Sequence, residues 1–143
     1  METYRYIGTV IDNKLSWKQN LKCIIKKTHS CLYRLRKIRS FNVSTELLQM
    51  FYTSTVSSVL TFRSACWGGN AAKQDKDRLE KNIKEAEGIV GRKQESLHSA
   101  YHRLLTDRLN TILADETHPL RSEFDSRRID RSSRFRVPKA RTN

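Results

Sequence analysis

SWKQNLKCIIKKTHSCLYRLRKIR, residues 16–39, is the stretch that decides the fold. Trp17, Leu21, Ile24, Ile25, Cys31, Leu32, Leu35 and Ile38 recur at steps of three, four and seven. That spacing lays one apolar stripe along a long helix. Ser16 stands where an N-cap would, and Gln19 three residues on completes a capping box. Lys18, Lys22, Lys26, His29, Tyr33 and Arg36 step along another face. The helix predicted here is amphipathic and basic on one side. Such a face is either simply solvated or follows a phosphate backbone.

Upstream, YRYIGTVIDNKLSW (residues 4–17) overlaps this helix. Residues 3–12 read as one short strand, with Tyr4, Tyr6 and Val10 on one side and Ile7, Thr9 and Ile11 on the other. Both faces are apolar or aromatic, so the strand is expected to want cover on both. Asp12-Asn13-Lys14 is turn chemistry. Downstream, Ser44 is placed to cap a second helix, with Glu46 near its positive end. Leu47, Leu48, Phe51, Tyr52, Thr55, Val56, Val59 and Leu60 give paired apolar positions every four residues, ending at Gly68-Gly69-Asn70. The Leu21, Ile24, Leu32 and Leu35 stripe is expected to pack on Phe51, Tyr52, Val56 and Val59. Leu79, Ile83, Ala86 and Val90 mark a third helix, stopped near Gly91. Leu97, Tyr101, Leu104, Leu105, Ile112 and Leu113 mark a fourth, broken by His118-Pro119.

The fold class read from these patterns is mainly α: a short N-terminal β-strand, an amphipathic helical bundle, and a basic tail. The chain of 143 residues, 37% hydrophobic and 30% charged, supports a small core under a heavily solvated surface. No apolar run reaches the length of a membrane span, and the N-terminus has no secretory pattern. Cys23, Cys31 and Cys66 are odd in number and lack C-x-x-C spacing, which reads as reduced thiols in a reducing compartment. The expected location is intracellular, cytoplasm or nucleus.

The net charge is +13 and it is segmental. Residues 18–39 carry eight basic side chains and no acid; residues 121–143 carry eight basic and three acidic ones. Together these two segments hold the whole excess, while residues 73–116 balance nine against nine. Focused positive charge attracts polyanions, and each phosphate neutralised releases a counterion. The residues expected to touch nucleic acid are Lys18, Lys22, Lys26, Lys27, Tyr33, Arg34, Arg36, Lys37 and Arg39. The expected partner is RNA or an RNA–DNA duplex, met without sequence preference. No membrane partner and no small-molecule substrate are indicated.

Other candidate chemistry is sparse. His98 and His102 share a helix face, but zinc needs a third ligand, and Ser99 stands where a metalloprotease helix carries Glu. Asp75 and Asp77 open a helix, where acids offset its dipole. Cys31 lies near cations that would favour its thiolate, but its spacing puts it on the apolar stripe. No carboxylate pair sits in a hydrophobic strand context, and there is no G-x-G-x-x-G or phosphate loop. No catalytic residue, metal or cofactor is therefore assigned.

Taken together, the motifs resemble the C-terminal end of a reverse transcriptase of non-LTR (LINE-type) retrotransposons of the fish type. YRYIGTVIDNKLSW is similar to that family's (F/Y)-K-Y-L-G-x-x-(I/L)-D-x-x-L-x-W, with Ile7 for the usual Leu. CLYRLRKIRSFNV resembles its helix and following loop, and MFYTSTVSSVLTF followed by CWGG resembles the helix pair ending in Trp-Gly. DETHPL and RVPKARTN are similar to the terminal stretch. The chain departs from the pattern at Arg63-Ser64-Ala65, where relatives are aromatic or apolar, and it ends before the family's S-F-(L/V)-P segment.

This resemblance implies that the Y-x-Y-(I/L)-G strand follows the palm's catalytic strands. It also implies that the metal-binding aspartates lie upstream. No Asp-Asp dipeptide occurs in the 143 residues. Two-metal phosphoryl transfer needs carboxylates that hold ions about 4 Å apart, so no polymerase activity is expected of this chain, which reads as truncated at both ends. The implied organisation is a last palm strand over 1–14, a thumb-like helical pair over 15–72, a further helical pair over 73–117, and a basic, disordered tail over 118–143. A polymerase thumb contacts backbone rather than bases, which suits the basic helix.

Residues 12–67 also resemble the N-terminal domain of an AlkB-homologue tRNA-modifying protein. That name implies methyltransferase or dioxygenase activity. An iron dioxygenase needs H-x-D/E and a distal His; His29, His98, His102 and His118 each lack an acid two residues on. A methyltransferase needs a glycine-rich loop after a strand, which is not found. The alternatives thus stand as a non-catalytic reverse-transcriptase remnant, a nucleic-acid-binding module in its own right, or a protein of the AlkB-homologue type.

Overall fold

The computed structural model describes residues 3–127. These residues are mainly helical, with a two-stranded antiparallel sheet at the N-terminal end. The chain divides into two compact units, Met1–Leu104 and Leu105–Asn143.

Residues 3–12, expected as a single strand, form a hairpin. β1 (Thr3–Tyr6) pairs with β2 (Thr9–Asp12), with Tyr4 opposite Ile11 and Tyr6 opposite Thr9. The two-residue turn is Ile7-Gly8, with φ of 43° and 79°. Positive φ at both central residues is the turn whose twist matches that of the strands, and its usual signal is Asn-Gly or Asp-Gly. Ile-Gly gives no such signal. Gly8 adopts its φ freely; Ile7, β-branched, does so under strain. All four β1 residues are exposed. Thr9 and Asp12 of β2 are buried. Cover therefore comes on the β2 side, where the Val10 N–H donates to Asn20 Oδ1 at 3.1 Å.

The first helix, α1, spans Lys18–Arg39. It lacks the expected capping box. Ser16 donates its hydroxyl to Asp12 Oδ2 at 2.6 Å, and Asp12 Oδ1 accepts from the N–H groups of Lys14 and Ser16. Asp12 thus closes the expected turn and holds Ser16 within it, one residue ahead of the N-cap position. Trp17 takes the N-cap place in the left-handed region, without a side-chain hydrogen bond.

These bonds, the Ser16 hydroxyl foremost, hold the Asp12 carboxyl below its ordinary value of 3.8. A carboxyl with a lowered folded pKa stabilises the fold fully above its unfolded pKa. That stabilisation fades as pH falls through the lowered one. Asp12→Asn should melt below the wild type at neutral pH, and the gap should narrow as pH falls below the ordinary value. A gap independent of pH would sink this assignment.

α2 (Thr45–Phe51), a π-helical turn (Tyr52–Ser57) and α3 (Ser58–Thr61) run on as one rod. The expected Ser44 cap is present: its hydroxyl accepts from the Leu47 N–H at 3.4 Å. Leu48, Tyr52, Val56 and Leu60 are all buried, four residues apart. An α-helix turns once per 3.6 residues and would carry a strict four-residue repeat off the core. The wider i→i+5 turn brings it back. Hydroxyls of Thr53, Thr55 and Ser58 donate to carbonyls three or four residues earlier, which eases the widening. The rod ends at Phe62-Arg63, where Arg63 turns left-handed. A short α4 (Ser64–Trp67) follows, its buried Trp67 indole donating to the Phe62 carbonyl at 3.0 Å.

α5 (Lys73–Val90) stops at Gly91, which adopts φ 78° as a left-handed C-cap. α6 spans Leu97–Ala114 and α7 spans Arg121–Ser126. The six residues of α7 lie inside the stretch expected to be a structureless tail; Arg121–Asp125 and Arg127–Glu123 pairs one turn apart support it. The core of the first unit holds Leu21, Ile24, Leu32 and Leu35 of α1 with Tyr52 and Val56, and with Phe51 and Val59 partly buried against them. This is the packing the sequence stripes imply. The core also takes in Leu79, Ile83, Ala86, Ile89 and Val90 of α5, which packs on α1.

Candidate nucleic-acid interface

All nine residues expected to touch nucleic acid lie on α1 with exposed side chains. Helix geometry then separates them. Leu21, Ile24, Thr28, Leu32 and Leu35 point into the core. Lys22, Lys26, Tyr33 and Lys37, at steps of four and seven, form the strip farthest from it. Tyr33 is 65% exposed among these lysines. Lys18, Lys22, Lys26, Lys27, Arg34 and Lys37 have no ion-pair partner among the described residues.

Arg36 and Arg39 are placed differently from the other seven. Arg36 pairs with Glu85 of α5. The Arg39 guanidinium donates to the carbonyls of Gly88 and Ile89 at the C-terminal end of α5. Both tie α1 to α5. Lys27 lies on the opposite flank, where it lines a groove of about 290 Å³ with Gly8, Asn20, Cys23, Ser58 and Phe62. Arg63 stands nearby, its guanidinium 5.4 Å from the Phe62 ring centre and 6.0 Å from that of Tyr6.

Electrostatics favour an anion here. Residues 3–44 contain one acid, Asp12, whose carboxylate is buried and hydrogen-bonded. α1 has no acid in its first turn. Lys18 and Lys22 stand near the positive end of the helix dipole, where cations oppose helix stability.

Sequence reasoning missed the part of α5 that borders α1. A cleft of about 380 Å³ is lined by Ile25 and His29 with Arg78, Lys81 and Asn82. His29 Nε2 lies 3.2 Å from Asn82 Oδ1. The charge balance of residues 73–116 masks this face, yet Arg78, Lys81 and Asn82 follow the three- and four-residue steps that put them on one side.

The other candidates resolve simply. Cys31 is buried on the apolar stripe; Cys23 is partly buried and Cys66 exposed, all three as free thiols. Asp75 sits in the first turn of α5. His98 and His102 are exposed with their Nε2 atoms 3.1 Å apart, and no group of three metal-ligating side chains occurs among the described residues. No helix among the described residues is long and apolar enough to cross a membrane. The basic residues of 128–143 lie outside the described residues.

The family model for "Alkylated DNA repair protein alkB homolog 8, N-terminal" matches residues 17–58, less than half of the chain. The match covers α1, α2 and the π-helical turn. No curated protein and no solved structure matches the chain.

Proposed function

We propose that this chain is a thumb-like module that binds the backbone of RNA or an RNA–DNA duplex, related to the C-terminal part of a non-LTR retrotransposon reverse transcriptase. The observation that carries the reading is the charge of α1: eight bases, no acid, and an outer strip of lysines without partners among the described residues. A face evolved only for solubility gains from mixed signs and from acids at the helix start. This one has neither. Backbone-directed binding needs no base-reading side chains, only cations at helical spacing and aromatic rings such as Tyr33 for stacking. The order of motifs from YRYIGTVIDNKLSW to CWGG supports the reverse-transcriptase origin.

The test is a salt titration of the whole chain with an RNA–DNA duplex, followed by fluorescence anisotropy. Log affinity should fall linearly with log salt, with a slope of about −3 or steeper, for unrelated sequences alike. A flat response overturns the proposal.

The family match over residues 17–58 favours a second reading, a domain of the AlkB-homologue type. In that reading the helices serve a protein with iron- or S-adenosylmethionine-dependent chemistry. Stoichiometric binding of iron or S-adenosylmethionine to the pure chain would favour it over the first.

A further inference from the structure

The cleft between α1 and α5 holds an arrangement that the outer lysine strip does not explain. Its polar lining consists of His29, Arg78, Lys81 and Asn82, without a carboxylate. Two acids one helical turn away on α5 are engaged: Asp75 lies 3.6 Å from Arg78, and Glu85 pairs with Arg36. Lys81 is exposed and has no ion-pair partner among the described residues. Asn82 is only 5% exposed. His29 Nε2 lies 3.2 Å from its Oδ1. The Asn82 Nδ2 group is left as a buried donor with no acceptor among the described residues. Such a group costs free energy in an empty site, and its retention calls for an explanation.

We propose that this cleft seats one phosphate of a bound nucleic-acid backbone. Lys81 supplies the charge, Arg78 shares its own with Asp75, and an oxygen of the phosphate supplies the acceptor that the Asn82 amide lacks. The His29–Asn82 contact fixes the amide's direction. The inference rests on the backbone-binding reading above and extends it to α5. Lys18, Lys22 and His29 lead along α1 to the cleft, so the basic row continues across the helix–helix boundary. A phosphodiester and free inorganic phosphate share this chemistry.

The test uses the full chain and two variants. Lys81→Gln should weaken duplex binding about three- to tenfold and reduce the salt slope by about one. Asn82→Asp keeps the side-chain shape and places a carboxylate beside His29 and Lys81. It should melt no lower than the wild type, yet bind the duplex about tenfold more weakly. The side-chain amide resonance of Asn82 should move when the duplex is added. If both variants bind with the wild-type slope while Lys22→Gln/Lys26→Gln weakens, the cleft assignment falls and the outer strip stands. If the wild type itself shows no salt-dependent binding, the backbone reading has failed first. If millimolar inorganic phosphate moves the Asn82 resonance and the duplex leaves it unmoved, the backbone assignment is overturned.

Discussion

Leu32→Ala should lower the stability of the fold by about 2–5 kcal/mol. Leu32 is 1% exposed, in the middle of α1, within the cluster that holds Leu35, Tyr52, Val56 and Leu79. Truncation strips apolar packing from this layer and leaves a hole in the cluster where α1 meets the α2–π–α3 rod and α5. Neither can close on it freely. Arg36 and Arg39 hold α5 in place, and the π turn already sets the rod's register. Urea denaturation followed by circular dichroism reads the change. Leu32→Met, which conserves volume, should cost less than about 1.5 kcal/mol. Equal midpoints for Leu32→Ala and wild type would mean that α1 does not face a core.

The double variant Lys22→Gln/Lys26→Gln should weaken binding to an RNA–DNA duplex by about ten- to thirtyfold at physiological salt. The slope of log affinity against log salt should shrink by roughly two, one for each phosphate that the variant no longer neutralises. Both lysines are exposed on the outer strip and have no ion-pair partner among the described residues, so the core is untouched. Gln has nearly the helix propensity of Lys. Removing positive charge near the positive end of α1 should leave the melting temperature level or slightly raised. Binding and stability therefore move independently, and an unchanged slope would leave the strip as a solvated face. Arg34, Lys37 and the lysines left on α1 should preserve part of the affinity.

The helices are legible because burial imposes their period on the sequence. The stripes of α1 and α5 follow it closely, and Ser44 and Gly91 carry the chemistry of helix ends in their residue types. The hairpin is not legible. Its turn uses Ile7, a residue whose preferences argue against the conformation it adopts. The capping box fails because Asp12, four residues away in the chain, holds Ser16 in the preceding turn, and the N-cap position falls to Trp17. The basic face is visible as composition. The division of its charges is not, because the partners of Arg36 and Arg39 lie about fifty residues along the chain and meet them only in the folded state.

Those two arginines bear on how the protein comes apart. Between them they hold α5 at a carboxylate and at two terminal carbonyls, over a shared layer of buried leucine and isoleucine. Peeling α1 away would break all of these at once, so α1 and α5 open as one cooperative unit with the highest protection of their amides from hydrogen exchange. The hairpin is at the other extreme. Its outer strand is exposed along its whole length and rests on β2, which is itself anchored by Asn20 and Arg63. It can fray without disturbing either helix, and its amides exchange first.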